Sequence, residues 1–250
     1  MNPRKKNSMV SLFWLFGFVF VFFACAKDEL TLPAKVNFEF VINEHHADDE
    51  GTEGKSTDQY QGGQPGSFTV DQGLMVIEAI EFNAKREQGK DVFFRSDFSE
   101  PLLANLGGPS ESKQVNFDIP QGEYNRIDMY FFLGTDELMP LVLEGTFTRP
   151  ASQGEFPIKF EYRFREEIQV RARARHGQQN IVLQKDIPAN AEVIMDAEFL
   201  FRFINFGLLM NAETTTIGGQ ETILINKNIN SNIFNILANR IPNSMAVVFD

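Results

Sequence analysis

Apolar positions along this chain recur mostly at every second residue, the spacing that gives a β-strand one buried face. Lys35 to Asn43 opens the series, with Val36, Phe38, Phe40 and Ile42 on one side. Residues 44 to 66 hold almost nothing apolar and read as a long loop. Phe68 and Val70 start the next strand, Gly73 marks a turn or bulge, and Leu74 to Phe82 is strongly apolar. Glu87 to Lys90 predicts a turn into a short strand at Val92 to Phe94, and Leu102 to Leu106 predicts a short helical turn closed by Gly107 and Gly108. Val115, Phe117 and Ile119 alternate, Pro120-Gln121-Gly122 turns the chain, and the shortness of that loop predicts that Tyr124 to Leu133 returns antiparallel.

Leu141 to Arg149 is a further strand. In Phe156 to Phe164 the residues Phe156, Ile158, Phe160, Tyr162 and Phe164 are expected to face inward. Arg165-Glu166-Glu167 predicts a tight turn into Ile168 to Arg175, where Ile168, Val170, Ala172 and Ala174 share the buried side. The β reading continues through Phe203, Ile204 to Ala212 is a candidate helix, and Glu221 to Lys227 is a strand. Ile229, Ile233, Ile236, Leu237 and Arg240 recur at helical spacing, and Met245 to Asp250 closes as a short strand. Many short strands without a βαβ rhythm predict a mainly β fold, an antiparallel β-sandwich with a short-helix-containing C-terminal part. The expected organisation is a main sandwich over 35–185 and a β-rich part over 186–250 in the same domain or a small second one.

The beginning of the chain has another character. Arg4, Lys5 and Lys6 precede a run from Val10 to Ala24 interrupted only by Ser11. That is the charged start and apolar centre of a secretory signal, too short for a spanning helix of ~20 residues. Residues 1–24 are therefore read as a signal peptide. Lys27 to Leu30 spells KDEL, an address read only at a C-terminus, and it is followed here by further chain. Cys25, the single cysteine, stands directly after Ala24 and before Lys27-Asp28-Glu29. Ala24-Cys25 resembles the lipobox of bacterial lipoproteins, which implies a diacylglycerol on Cys25. Lys27-Asp28-Glu29 resembles the signal that follows this cysteine in surface-exposed lipoproteins of Bacteroidetes-type bacteria. The resemblance implies a membrane partner through the lipid at Cys25, a tether over 25–34 and display on the surface of the bacterial outer membrane, with the periplasmic face as the alternative. More than one acyl chain holds a protein to a bilayer far better than one alone.

Composition narrows the function classes. Without residues 1–24 the side-chain charge goes from −11 (23 − 34) to −14 (20 − 34), which disfavours nucleic acid and anionic membranes as non-specific partners. One cysteine excludes a disulfide framework within the chain and a thiolate zinc site. Phosphate-loop, dinucleotide-binding, metalloprotease and serine-hydrolase motifs are absent, so no catalytic residue, metal site or cofactor is assigned and the chain is expected not to be an enzyme. His45 and His46 lie beside Asp48, Asp49 and Glu50, but adjacent histidines in a flexible loop do not by themselves converge on a metal; His176 is isolated. The sharper feature is basic. Residues 159–175 hold six basic residues against three acids, with Arg171, Arg173 and Arg175 at period two and Lys159, Arg163 and Arg165 expected across a hairpin. Guanidinium groups grip carboxylates, sulfates and phosphates through paired hydrogen bonds. Arg163, Arg165, Arg171, Arg173 and Arg175 are thus candidates for an anionic glycan or an acidic protein surface, against the plainer reading that they meet glutamates on neighbouring strands.

With these strands placed, the chain resembles the DUF4382-like type of bacterial surface lipoprotein. The resembling pieces are GLMVIEAIEF at 73–82, VNFDIPQGEYNRIDMYFFL at 115–133, carrying F-x-I-P-x-G-x-Y, and LVLEGTF at 141–147, carrying L-x-G-x-F. The resemblance implies a transthyretin-like or immunoglobulin-like sandwich and a cell-surface binding role of the adhesin kind, with no catalytic residues to carry over. A glycan-capture accessory protein would show exposed aromatics along a shallow groove, a subunit of a surface assembly an unpaired edge strand, and an enzyme a closed pocket with convergent polar groups.

Overall fold

The computed structural model describes residues 31–43, 67–107, 115–148, 154–202 and 204–250. The segments read as a signal peptide and as a long loop over 44–66, together with Cys25, lie outside the described residues. The strands are β1 (Pro33–Asn43), β2 (Ser67–Arg86), β3 (Val92–Asn105), β4 (Val115–Pro120), β5 (Gly122–Leu133), β6 (Leu141–Thr148), β7 (Glu155–Tyr162), β8 (Glu166–Arg171), β9 (Arg173–Ala174), β10 (Ile181–Leu183), β11 (Ala189–Asp196), β12 (Thr214–Ile217), β13 (Gln220–Ile225) and β14 (Met245–Phe249). The helices are α1 (Ala197–Phe201), α2 (Phe206–Met210) and α3 (Ser231–Ala238), with short 3₁₀ turns at Arg175–Gly177 and Ile241–Asn243.

The strands form two sheets in a mainly β, sandwich-like fold. One runs β4-β1-β11-β14-β9. The other is organised on β2. Along one edge β2 pairs first with β6, over Ser67 to Met75, and then with β5, over Ile77 to Arg86, while β3 takes the opposite edge. The partner changes at Val76, whose N–H donates to Pro140 O and whose carbonyl accepts from Gly134 N. From there the sheet diverges into two limbs. In the first, β5 carries β8 and β10 on its far edge. In the second, β6 leads to β7, β13 and β12.

The first limb packs on the other sheet. Phe82, Met129 and Val170 form one inward row and Ile80, Phe131 and Ile168 the next. Phe131 meets Phe40 of β1 and Phe94 meets Phe117 of β4. The inward side of the second limb, Ile158, Phe160, Ile223 and Ile225, is covered by helices: Phe206 of α2 lies on Phe147, and Phe234 of α3 lies on Phe160 and Tyr162. All of these apolar side chains belong to one continuous core. Most pairs are antiparallel, as expected, and three are parallel: β1 with β11, β7 with β13 and β9 with β14. Residues after 186 supply β11 and β14 to one sheet and β12 and β13 to the other.

Several local expectations are corrected. The chain at 120–122 does not make a hairpin; β4 pairs with β1 while β5 pairs with β2, so this corner carries the chain from one sheet to the other. Gly122 has φ +152, and a Cβ there would lie 3.0 Å from Arg86 Cδ. Buried Arg86 donates to Lys90 O at 2.6 Å and Gln121 O at 3.2 Å, and the Tyr124 hydroxyl donates to Pro120 O. Those contacts account for the Ile-Pro-x-Gly-x-Tyr spacing. Arg165 likewise does not close a hairpin, because β7 belongs to the second limb and β8 to the first. Leu102 to Leu106 is not a helical turn: Leu102 to Asn105 is the end of β3, with Leu102, Ala104 and the following Leu106 buried and Leu103 exposed at period two. Gly73 is not a turn; the register shift falls between Val70 and Gln72. The strand expected through Phe203 stops at Asp196, whose carboxylate accepts from Phe199 N at 2.7 Å and starts α1. Pro33 and Ala34, expected in the tether, belong instead to β1, which begins at Pro33.

Candidate binding groove

Alternation along β7 buries Ile158, Phe160 and Tyr162 and leaves Phe156 half-buried. Phe164 keeps the same parity but lies past the end of the strand, where the chain turns toward β8. The residue is 41% exposed, a correction to the inward placement expected from the sequence. It meets Tyr162 edge-on, with centroids 5.6 Å apart, and lies 6.2 Å from Phe234.

Opposite Phe164 stands the loop after β13. Asparagine side chains fold it by replacing backbone partners. Asn226 Oδ1 accepts from Asn228 N and Ile229 N, both at 2.9 Å. Asn230 sits at φ +53, and its Nδ2 donates to Glu213 O at 2.9 Å and Leu224 O at 2.8 Å. This brace holds Lys227 Nζ 5.4 Å from the centroid of the Phe164 ring. On the near wall, Glu161 accepts from Asn226 Nδ2 at 3.4 Å and pairs with Arg163 Nη2 at 3.6 Å. Phe164 and Phe234 thus floor a groove of about 310 Å³, rimmed by Glu161, Arg163, Asn226, Lys227 and Asn228. Behind the floor, Tyr162 OH donates to Glu166 at 2.5 Å, and burial together with that carboxylate pushes its pKa well up. A second hollow of about 330 Å³ opens on the other side of Asn228, between α2 and the start of α3. It is polar, and Asn211 and Asn230 in its lining already bond to backbone.

The sequence-predicted arginines do not share one surface. Arg163 alone rims the groove. Arg165 faces Glu78 at 3.7 Å and Asp136 at 3.5 Å. Arg171 lies on the outer side of the first limb, 3.1 Å from Asp128, which Arg126 also pairs. The row breaks after Arg171 because the chain leaves β5 there and joins the other sheet. Arg173 is paired in register with Val248, and Arg175 bridges Glu192 at 2.7 Å and Asp250 at 2.6 Å. Lys159 pairs with Glu144 on the second limb at 2.9 Å. His176 is exposed at φ +61 in a 3₁₀ turn. The metal reading at His45 and His46 lies outside the described residues; among those described, no cluster of histidine, cysteine and carboxylates could hold a metal. Nor is any described helix long and apolar enough to cross a membrane.

Edge strands bear on assembly. Among the described residues β3 pairs only with β2, which leaves its other edge without a described strand, but Pro101 offers no N–H and the pairing shifts between Asp97 and Leu102. Arg95, Asp97 and Glu100 add charge along it. These features blunt an edge against strand addition.

The groove was missed in the sequence because its two sides are 63 residues apart, from Phe164 to Lys227. The available signal was the asparagine-rich Asn226 to Asn232 beside an aromatic that overruns its strand. No protein-family model, curated protein or solved structure matches the chain.

Proposed function

We propose that this protein is a lipid-anchored cell-surface binding protein that performs no catalysis, with Cys25 as the lipid carrier. The observation that carries the binding role is the open groove at Phe164, an apolar aromatic floor ringed by charged and amide groups. Its position suits presentation. The chain enters the fold beside the 120–122 corner, where Gln121 N donates to Leu32 O at 2.7 Å. The groove lies level with the other end of β5, since Tyr162 pairs with Leu141 and Leu141 with Met75, next to the Ile77–Leu133 pair. The twelve residues of β5 therefore separate the Leu32 entry point from the groove, ~40 Å at the usual strand rise. An adhesin-like role and a glycan-capture role both fit this arrangement, and the exposed aromatic floor favours capture.

Two measurements test the reading. The full chain and its Cys25→Ser variant, expressed in a Gram-negative host, are labelled with palmitate, and intact cells are treated with protease. Labelling that depends on Cys25 and loss of the protein from intact cells are expected. An unlabelled chain, or one protected from protease until cells are broken, overturns surface anchoring.

A further inference from the structure

We infer that the groove at Phe164 binds a carboxylated sugar ring, as found in uronic-acid polysaccharides, by stacking the ring on Phe164 and pairing its carboxylate with Lys227 and Arg163. This assignment rests on the surface-binding reading and names the ligand class of the same site.

Four observations converge on that chemistry. First, Phe164 is held rigidly and still exposed: Tyr162 and Phe234 pack against its ring from within, while 41% of the residue stays open to water. An aromatic ring presented this way takes the C–H face of a pyranose, apolar on that side and hydroxylated at its rim. Second, the outward charge of the rim is positive. Glu161 is the only carboxylate lining the groove. Its side chain is 15% exposed and already held by Asn226 and Arg163, whereas the Arg163 side chain is 68% exposed. Lys227 is exposed and makes no ion pair among the described residues. In a chain whose net charge is −11, this is a local reversal that favours an anionic group at this place.

Third, Asn226 and Asn228 bring amides to the rim, and an amide can donate to one hydroxyl and accept from another. Asn226 Oδ1 is occupied by the loop's own N–H groups, which leaves Asn228 as the freer of the two for a sugar hydroxyl. Fourth, the size is right for one unit of a chain. A volume of about 310 Å³ is at the lower end of ligand clefts, ~300–1,000 Å³. The groove is open rather than enclosed, so neighbouring sugars can run out of it.

The chain from Ala26 to Asp250, which keeps every described strand and helix, is titrated calorimetrically with three probes at physiological salt. They are a tetrasaccharide of alternating glucuronate and N-acetylglucosamine, a neutral tetrasaccharide of N-acetylglucosamine, and a tetraglutamate peptide. Saturable binding of the uronate probe alone is expected. Phe164→Ala and Lys227→Gln should each weaken it about tenfold, one stacking or charge-pair contact's worth, Phe164→Trp should retain it, and Arg171→Ala on the distant outer face should leave it unchanged. Thermal melts establish that each variant is folded. Equal binding of tetraglutamate would reduce the site to a cation patch and overturn the assignment. So would absence of uronate binding, or loss of binding in Arg171→Ala with Phe164→Ala unaffected. If palmitate labelling and surface exposure hold while uronate binding fails, this inference falls and the anchoring reading stands.

Discussion

Gly145, the glycine of Leu143-x-Gly145-x-Phe147, is the position where the smallest change should do the most damage. It lies on β6 opposite Val70 of β2, at the register shift between Val70 and Gln72. The irregularity presses the β2 backbone onto β6. A Cβ on Gly145 would stand 1.9 Å from Thr69 O and 2.9 Å from both Thr69 C and Val70 Cα. All three are backbone atoms, so no side chain can rotate away. A carbon and a carbonyl oxygen settle near ~3.3 Å, and the strands must therefore part by more than an ångström at the shift. That strains or breaks the adjacent ladder hydrogen bonds at about 1 kcal/mol each, in addition to about 1–3 kcal/mol for overpacking. Gly145→Ala should cost about 3–5 kcal/mol in all, about a fifth or more of a typical domain's ~5–15 kcal/mol. For a chain of this size that lowers the melting midpoint by about 6–20 °C. Gly73→Ala is the informative control. Its Cβ would meet Leu143 Cδ2 at 2.7 Å and Leu106 Cδ1 at 3.0 Å, the movable ends of side chains, and the cost should be distinctly smaller. Thermal unfolding followed by far-ultraviolet circular dichroism ranks the two. A Gly145→Ala midpoint within about 3 °C of the parent, or a larger loss for Gly73→Ala, would refute the account of the close approach.

Tyr124→Phe removes the hydroxyl that donates to Pro120 O and should cost about 1 kcal/mol in urea unfolding. Burial raises the Tyr124 pKa to about 12, so the neutral form is favoured in the fold. The associated stability is complete below the unfolded value of ~10 and is lost as pH rises from there toward 12, a loss that Tyr124→Phe should lessen. Asp196→Ala leaves the Phe199 N–H without its cap and should cost about 1 kcal/mol, with accelerated amide exchange concentrated in α1; uniform acceleration would contradict a local cap. The Lys159 hydrogen bond lowers the Glu144 pKa, so this pair's contribution is present above the ordinary carboxylate range and fades as pH falls through the lowered value. Both partners are partly exposed, so Glu144→Gln should cost no more than about 1 kcal/mol at neutral pH and flatten the acid side of the stability profile.

Period-two patterning made the faces of the strands legible, but not their partners. Val36, Phe38 and Phe40 are buried as alternation requires, and so are Ile158, Phe160 and Tyr162. A short connection between two alternating segments ordinarily signals a hairpin. Here the 120–122 corner rotates the chain into the second sheet, a step fixed by Arg86, which lies 34 residues earlier than Pro120. The arginine row failed as a common surface for a related reason. Parity places Arg171 and Arg173 on one side of an ideal strand, but β8 pairs with β5 only as far as Arg171, and the strand switch sets Arg173 beside Val248 and sends Arg175 to Glu192 and Asp250. The helix at 197–201 was hidden in an apolar run. Its signal was Asp196 followed by Glu198 in the first turn, too weak locally to outweigh the strand pattern before it.

The divergence of the β2 sheet raises the question of whether the two limbs unfold together. β2 itself argues that they do, because a single backbone carries β6 on its first half and β5 on its second. The chain also crosses back. After β8 on the first limb come β11 in the other sheet, β12 and β13 on the second limb, and then β14 beside β11. Releasing the second limb would therefore pull on the α3 segment, which is tied to the other sheet through β14, and expose Phe160, Ile223 and Ile225 in the core they share with β1 and β5. Apolar burial at ~25 cal/mol per Å² makes such a half-open state costly. Gly145→Ala, which acts where the second limb joins β2, tests the coupling. Native-state hydrogen exchange should show the slowest amides of β1 and β11 losing as much protection as those of β7 and β13. Loss confined to β6, β7 and β13, with β1 and β11 unchanged, would mean that the limbs open independently and that β2 is a hinge between them.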